Sequence, residues 1–96
     1  MNYKIFIPNQ VRQELKDIAK YIAQDNPIRA QSFIKELRDY FEDRLGFMPL
    51  SGRIIKDQVR MTPYKRYVIL YIADEENKLV KILHIFAGGR DWESFL

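Results

Sequence analysis

A chain of 96 residues has room for one domain, residues 1–96, in which helices and sheet share a single core, and none for a second. With 47% hydrophobic and 14% aromatic residues it can bury that core and fold as a soluble globule. It has no cysteine and one histidine, His84, which argues against a disulfide framework, a structural zinc site and a Ser-His-Asp triad, and its net charge of +3 is modest.

In chain order, residues 2–7 place Tyr3, Ile5 and Ile7 at alternate positions, a short strand that stops at Pro8 and joins the main sheet. A helix follows from Asn9, which can cap it, with Val11, Leu15, Ile18, Ala19 and Ile22 on one stripe. It ends around Asp25, because Asn26-Pro27 reads as the cap and first residue of a second helix, which makes a helical hairpin. The second helix presents Ala30, Phe33, Ile34, Leu37, Phe41 and Leu45 on one face, with Gly46 as its C-terminal cap. Residues 47–52 hold two breakers, Pro49 and Gly52, and are a connector. Ile54-Ile55 and residues 59–61 suggest one broken or bulged strand, after which residues 62–65 turn the chain.

Residues 66–87 organise the rest. Val68, Leu70 and Ile72 alternate with Tyr67, Ile69 and Tyr71, so neither face is plainly solvated, as in a central strand. Val80, Ile82, His84 and Phe86 alternate with Leu79, Lys81, Leu83 and Ile85 in a second strand, and the polar residues 74–78 between them suit a hairpin loop. Gly88-Gly89 ends that strand before a tail, RDWESFL. Helices together and then strands together predict an α+β fold: an N-terminal strand, a two-helix hairpin and a mostly antiparallel sheet of about four strands. Two helices cover one face of such a sheet and leave the other partly open. The isolated chain should therefore self-associate.

The charge is uneven along the chain. Residues 51–72 carry five basic side chains, Arg53, Lys56, Arg60, Lys65 and Arg66, against Asp57 alone, which suits an anionic partner, nucleic acid or an acidic protein segment, as well as a solvated strand edge. No run approaches a membrane span, and the opening MNYKIFIPN is too short for a signal peptide, so the expected location is the cytoplasm.

Several short patterns fall in an order that carries a resemblance over nearly the whole chain. They are Glu14-Leu15 through Ile18 to Tyr21-Ile22; Asn26-Pro27 with Ala30 and Phe33; Leu45, Pro49 and Gly52-Arg53; and RYVILY before KILHIFAGGRDW. Together they resemble the RelE/ParE toxin superfamily, and Gly89-Arg90-Asp91-Trp92 is similar to its ParE branch. The resemblance implies a toxin of a type II toxin-antitoxin, plasmid-stabilising system, bound by a cognate acidic antitoxin whose C-terminal segment wraps it, as a homodimer or a hetero-oligomer. ParE-like members act on DNA gyrase and trap cleaved DNA. RelE-like members cut messenger RNA on the ribosome, and fold alone does not choose between them.

RNA cleavage needs a base, an acid and cations at the phosphorane. Related toxins often carry a His just before the tail glycine, where this chain has Ala87. His84, on an apolar strand face, reads first as a hydrogen-bonded packing residue. With no matched acid-base pair in view, the expectation is a gyrase inhibitor without intrinsic catalysis, metal or cofactor. A ribosome-dependent messenger endonuclease is the alternative, and an inactive relative acting only as a binding module is a third. The expected target- or antitoxin-binding residues are Arg53, Arg60, Lys65, Arg66, Arg90 and Trp92. Trp and Arg are residue types that anchor interfaces, and in the plainer reading Trp92 folds back over the sheet while Arg90 and Asp91 pair and fix the tail.

Overall fold

The computed structural model describes residues 2–88. Five strands, β1 (Lys4–Phe6), β2 (Arg53–Lys56), β3 (Val59–Tyr64), β4 (Tyr67–Asp74) and β5 (Leu79–Ala87), form one sheet in the order β1-β5-β4-β3-β2. β1 pairs with β5 in parallel and every other pairing is antiparallel. The hairpin expected over residues 66–87 is β4 and β5, with β4 at the centre of the sheet. The segment expected as one broken strand is two strands, because Asp57 adopts a left-handed conformation (φ 51°) and reverses the chain there. The sheet therefore has five strands rather than about four.

Helices α1 (Asn9–Ala23) and α2 (Pro27–Tyr40) pack on one face, and α2 continues into a wider π-helical segment, Phe41–Gly46. Asn26 caps α2 as expected, its side chain accepting the Arg29 N–H at 3.0 Å, with Pro27 in the first turn. Asn9 does not cap α1. Pro8 stands in the extended cap position (φ −70°, ψ 165°), so Asn9 already lies inside the first turn. Gly46 differs from a helix cap too: its carbonyl accepts the Tyr3 N–H at 2.7 Å, and a Cβ there would lie 3.0 Å from the Tyr3 carbonyl oxygen. It is a glycine because β1 passes so close.

The core joins Val11, Leu15 and Ile18 of α1 with Phe33 and Leu37 of α2, Phe41 and Leu45 beyond it, and Ile69, Tyr71, Val80, Ile82 and Ile85 of the sheet. β5 breaks strict alternation to supply its share. Leu70 pairs with His84 and the next residue, Tyr71, with Ile82, so Leu83 is a bulge. Val80 and Ile82 face the helices with Ile85, whereas His84 and Phe86 turn to the opposite face. The four residues that simple alternation puts on one face are thus divided between two. The turn of residues 62–65 is also shorter than expected: residues 62–64 belong to β3, and the chain reverses at Lys65 (φ 54°). Pro63 is tolerated inside a strand because β2 stops opposite Met61, leaving that side of β3 without a ladder partner.

Candidate functional site

The face turned away from the helices is built from cross-strand rows. Arg53, Met61, Leu70 and His84 are successive partners across four strands, and Lys56, Val59, Ile72 and Lys81 form the adjacent row. Each row runs from a cation on the edge strand, over two apolar residues, to a basic or titratable residue on β5. Neighbouring strands lie about 4.8 Å apart, so each row spans about 14 Å. This surface has an apolar middle and a cation at each margin, with Asp74, Glu75 and Glu76 in the cleft beside Lys81, and it suits a partner that sets acidic groups on those cations around an apolar contact.

Where the rows meet α1 there is a cleft of about 410 Å³, its walls including Gln10, Lys56, Asp57, Leu70, Leu83 and His84. Its end wall follows from the shortness of β1. That strand stops at Phe6, opposite Lys81, so the outer edge of β5 beyond Lys81 lacks a partner strand. Glu14 of α1 takes over: one carboxylate oxygen accepts the Ile85 N–H at 2.8 Å and the other lies 3.1 Å from His84 Nδ1. Gln10, one turn earlier on the same helix face, also lies 3.1 Å from that nitrogen. With its proton on Nδ1 the imidazole donates to Glu14, and in the other tautomer it accepts from the Gln10 amide. Glu14 therefore closes the sheet edge and orients His84, in a pair that is only 22–23% exposed. The hydrogen bonding expected of His84 is present, and its partner lies 70 residues away, out of reach of any sequence spacing.

The basic residues expected at a binding site fall in three places. Arg53 lies exposed on the open face, in the same strand as Lys56. Arg60 points to the helix side, where its guanidinium donates to the carbonyls of Leu50 (3.0 Å) and Gly52 (2.8 Å). Lys65 and Arg66 form the β3–β4 turn. Lys65 donates to Glu36 at 3.1 Å, and the Arg66 carbonyl accepts the Gly88 N–H at 2.6 Å. Glu36 also receives Arg29 at 2.8 Å, and these bonds, Arg29 first and Lys65 second, hold its carboxyl below the ordinary glutamate range. Arg90 and Trp92 lie outside the described residues. Gln10, Lys56 and Asp57 line the cleft, and Glu14 holds its His84, without any of the four having been singled out as site residues. No spacing signals Glu14, because the β5 bulge and the early end of β1 bring it there.

Comparison with known proteins agrees with this architecture. The family profile described as ParE toxin of type II toxin-antitoxin system, parDE, matches residues 5–92. A search of curated proteins gave no significant match. Among solved structures, the chain resembles one in the RelBE2 toxin-antitoxin complex from Mycobacterium tuberculosis, with a TM-score of 0.70 and 21% identity over 91% of this chain and 99% of that one. It also resembles one in the archaeal RelE-RelB complex from Pyrococcus horikoshii, with a TM-score of 0.60 and 22% identity over 94% of this chain and 99% of that one. The isolated E. coli RelE toxin matches with a TM-score of 0.57 and 10% identity, over 97% of this chain and 92% of that one. At these identities the likeness speaks for the fold. No helix among the described residues is long and apolar enough to cross a membrane.

Proposed function

The chain belongs to the ParE toxin family of type II toxin-antitoxin systems, and we propose that it acts by binding, docking on DNA gyrase and holding the enzyme with its DNA cleaved until a cognate acidic antitoxin removes it. The observation that carries this reading is the ParE match over residues 5–92. The open sheet face supports it, because Arg53 and Lys56 at one margin and Lys81 at the other frame an apolar middle, the composition of a protein-binding surface. The antitoxin would use the same complementarity, acidic groups against the basic margins. The complexes among the structural neighbours support such a partner.

One observation favours a second reading, cleavage of messenger RNA. His84, oriented by Glu14, shares a cleft with Lys56, so a base held by a carboxylate stands near a cation able to stabilise a phosphorane. Two assays on one preparation separate the readings: supercoiling by purified gyrase, and primer extension on a translated messenger. The proposal expects loss of supercoiling with accumulation of linear DNA and an intact messenger. Codon-specific cuts with unaffected supercoiling would overturn it in favour of the ribonuclease, and inactivity in both assays would leave a binding module.

A further inference from the structure

The face turned away from the helices is not evenly open. Met61, Val59 and Ile72 on it are only half-buried, whereas Leu70 is 1% exposed and Phe86 5%. No helix or strand among the described residues lies over these two, since α1 and α2 pack on the opposite face, against Val80, Ile82 and Ile85. A leucine in an uncovered sheet has neighbours beside it and water above it. Leu70 has His84 and Met61 beside it, and Phe86, near the end of β5, has only Val68 across from it and no strand on its other side. Side neighbours of this kind do not bring two large side chains to near-zero exposure. Something lies on top of them, and because the burial belongs to a single chain, the cover is part of that chain.

Met1 adjoins the other end of β5, three residues before Lys4, which pairs with Leu79. The chain left to supply the cover is residues 89–96, GRDWESFL, which lie outside the described residues and continue from the Phe86 end of the strand. Gly88 holds the starting point, its N–H donating to the Arg66 carbonyl at 2.6 Å. Leu70, opposite His84 on the next strand, is about 14 Å from Gly88 along the sheet, and eight residues reach up to about 28 Å, so the segment is long enough. Gly88-Gly89 permits the reversal that a return over the sheet requires. Trp92, Phe95 and Leu96 recur at offsets of three and four among polar neighbours, and Asp91 and Glu93 outnumber Arg90, which suits a face with cations at its margins. We propose that residues 89–96 fold back over the β4–β5 part of the open face and seat Trp92 on Leu70 and Phe86. The surface left for a partner is then Met61, Val59 and Ile72 with their bordering cations, joined to the outer side of the tail. The proposal rests on burial within the chain and is independent of whether the target is gyrase.

Trp92 is the only tryptophan of the chain, so its emission reports the tail directly. The measurements are the emission maximum and the rate of acrylamide quenching for the full chain, for Phe86→Ala, and for Tyr21→Ala, which removes a ring exposed on the helices. The wild type should emit to the blue of its urea-unfolded form and be quenched several-fold more slowly, since the indole sits against apolar side chains. Phe86→Ala should move both readings toward the unfolded values while its circular dichroism stays native, and Tyr21→Ala should leave them unchanged. Trp92→Ser should bind an apolar dye and self-associate, because Leu70 and Phe86 are then uncovered. A wild-type maximum equal to that of the unfolded chain overturns the proposal. Emission that stays blue and protected in a folded Phe86→Ala overturns it too, since the indole would be packed elsewhere. Where Phe86→Ala does not fold, Trp92→Ser decides, and no gain in dye binding over wild type overturns the proposal. A blue shift lost on dilution also overturns it, by assigning the cover to a second copy of the chain.

Discussion

The phenol oxygen of Tyr71 occupies the space that a side chain on Gly52 would need: it accepts the Gly52 N–H at 2.8 Å, and a Cβ added to Gly52 would come within 2.5 Å of it. Tyr71 is wholly buried in the central strand and its ring is fixed by the core, so the glycine must give way. Gly52→Ala should cost about 1–3 kcal/mol through overpacking, measured as a shift in the urea midpoint. Tyr71→Phe should cost a similar amount by a different route, leaving the Gly52 N–H and the Pro49 carbonyl without their partner. A Gly52→Ala midpoint equal to wild type would mean that the loop moves freely.

Tyr71 also sets a high-pH limit. Burial, the largest cause, raises its pKa above the ordinary value of 10.0. The unfolded chain therefore loses this proton at lower pH than the folded one. The stability this provides is present in full below about pH 10 and is lost as pH rises through the folded value. Between pH 9 and 11 the wild type should lose stability more steeply than Tyr71→Phe, and parallel curves would show that the phenol is not protected.

The acid limb has the opposite sign. Glu36, hydrogen-bonded first by Arg29 and then by Lys65, titrates below its ordinary value of 4.5. The unfolded chain takes up the proton first, so the contribution of this pairing is present above pH 4.5 and disappears as pH falls through the folded value. Because the groups are exposed, the effect should be small and reduced by salt. Urea midpoints measured from pH 7 to 3 should fall less for Glu36→Gln than for wild type. An equal fall in 1 M salt and in low salt would rule out the ion pair as the cause.

These relationships show what the sequence could and could not disclose. The helical hairpin, the Asn26-Pro27 boundary and the β4–β5 pair were legible because each rests on local periodicity or on a cap. The open face was legible in outline, since a sheet with two apolar faces and two helices must leave one uncovered. The division of β5 was not, because the bulge at Leu83 is selected by pairing with β4 and by Glu14 holding Ile85, both distant in sequence. For the same reason Arg60 reads as one of a basic group in the sequence, while the register to Tyr71 turns it toward the loop it ties down. Charge counting finds cations and does not tell which face they occupy.

Glu14 gives the sharpest separation of structure from chemistry. Glu14→Ala removes the acceptor of the Ile85 N–H, and an unpaired donor at a part-buried edge should cost about 1–3 kcal/mol. His84→Gln keeps a polar group of similar reach facing Glu14 and should leave the midpoint nearly unchanged. If the chain inhibits gyrase by binding alone, His84→Gln should retain inhibition within about threefold of wild type, whereas loss of a general base would cost about 10²-fold or more. A folded His84→Gln variant without toxicity would assign the imidazole to chemistry and favour RNA cleavage.

The open face itself is tested by reversing its margins. Arg53 and Lys81 stand on opposite borders of the two cross-strand rows, far enough apart that their effects should add. Each charge reversal places a like charge against the acidic partner that the rows are suited to, so Arg53→Glu and Lys81→Glu should each weaken inhibition of supercoiling about tenfold, or about 1.4 kcal/mol. Lys65→Glu breaks the tie to Glu36 in the β3–β4 turn, away from both rows, and should weaken inhibition no more than about threefold. The measurement is the concentration of each variant that halves supercoiling, repeated at two salt concentrations, with the melting temperature as the control on folding. Higher salt should narrow the gap between wild type and the two margin variants by screening the attraction they lose. Full activity in both margin variants, with the loss falling on Lys65→Glu, would move the target-binding surface from the open face to the turn.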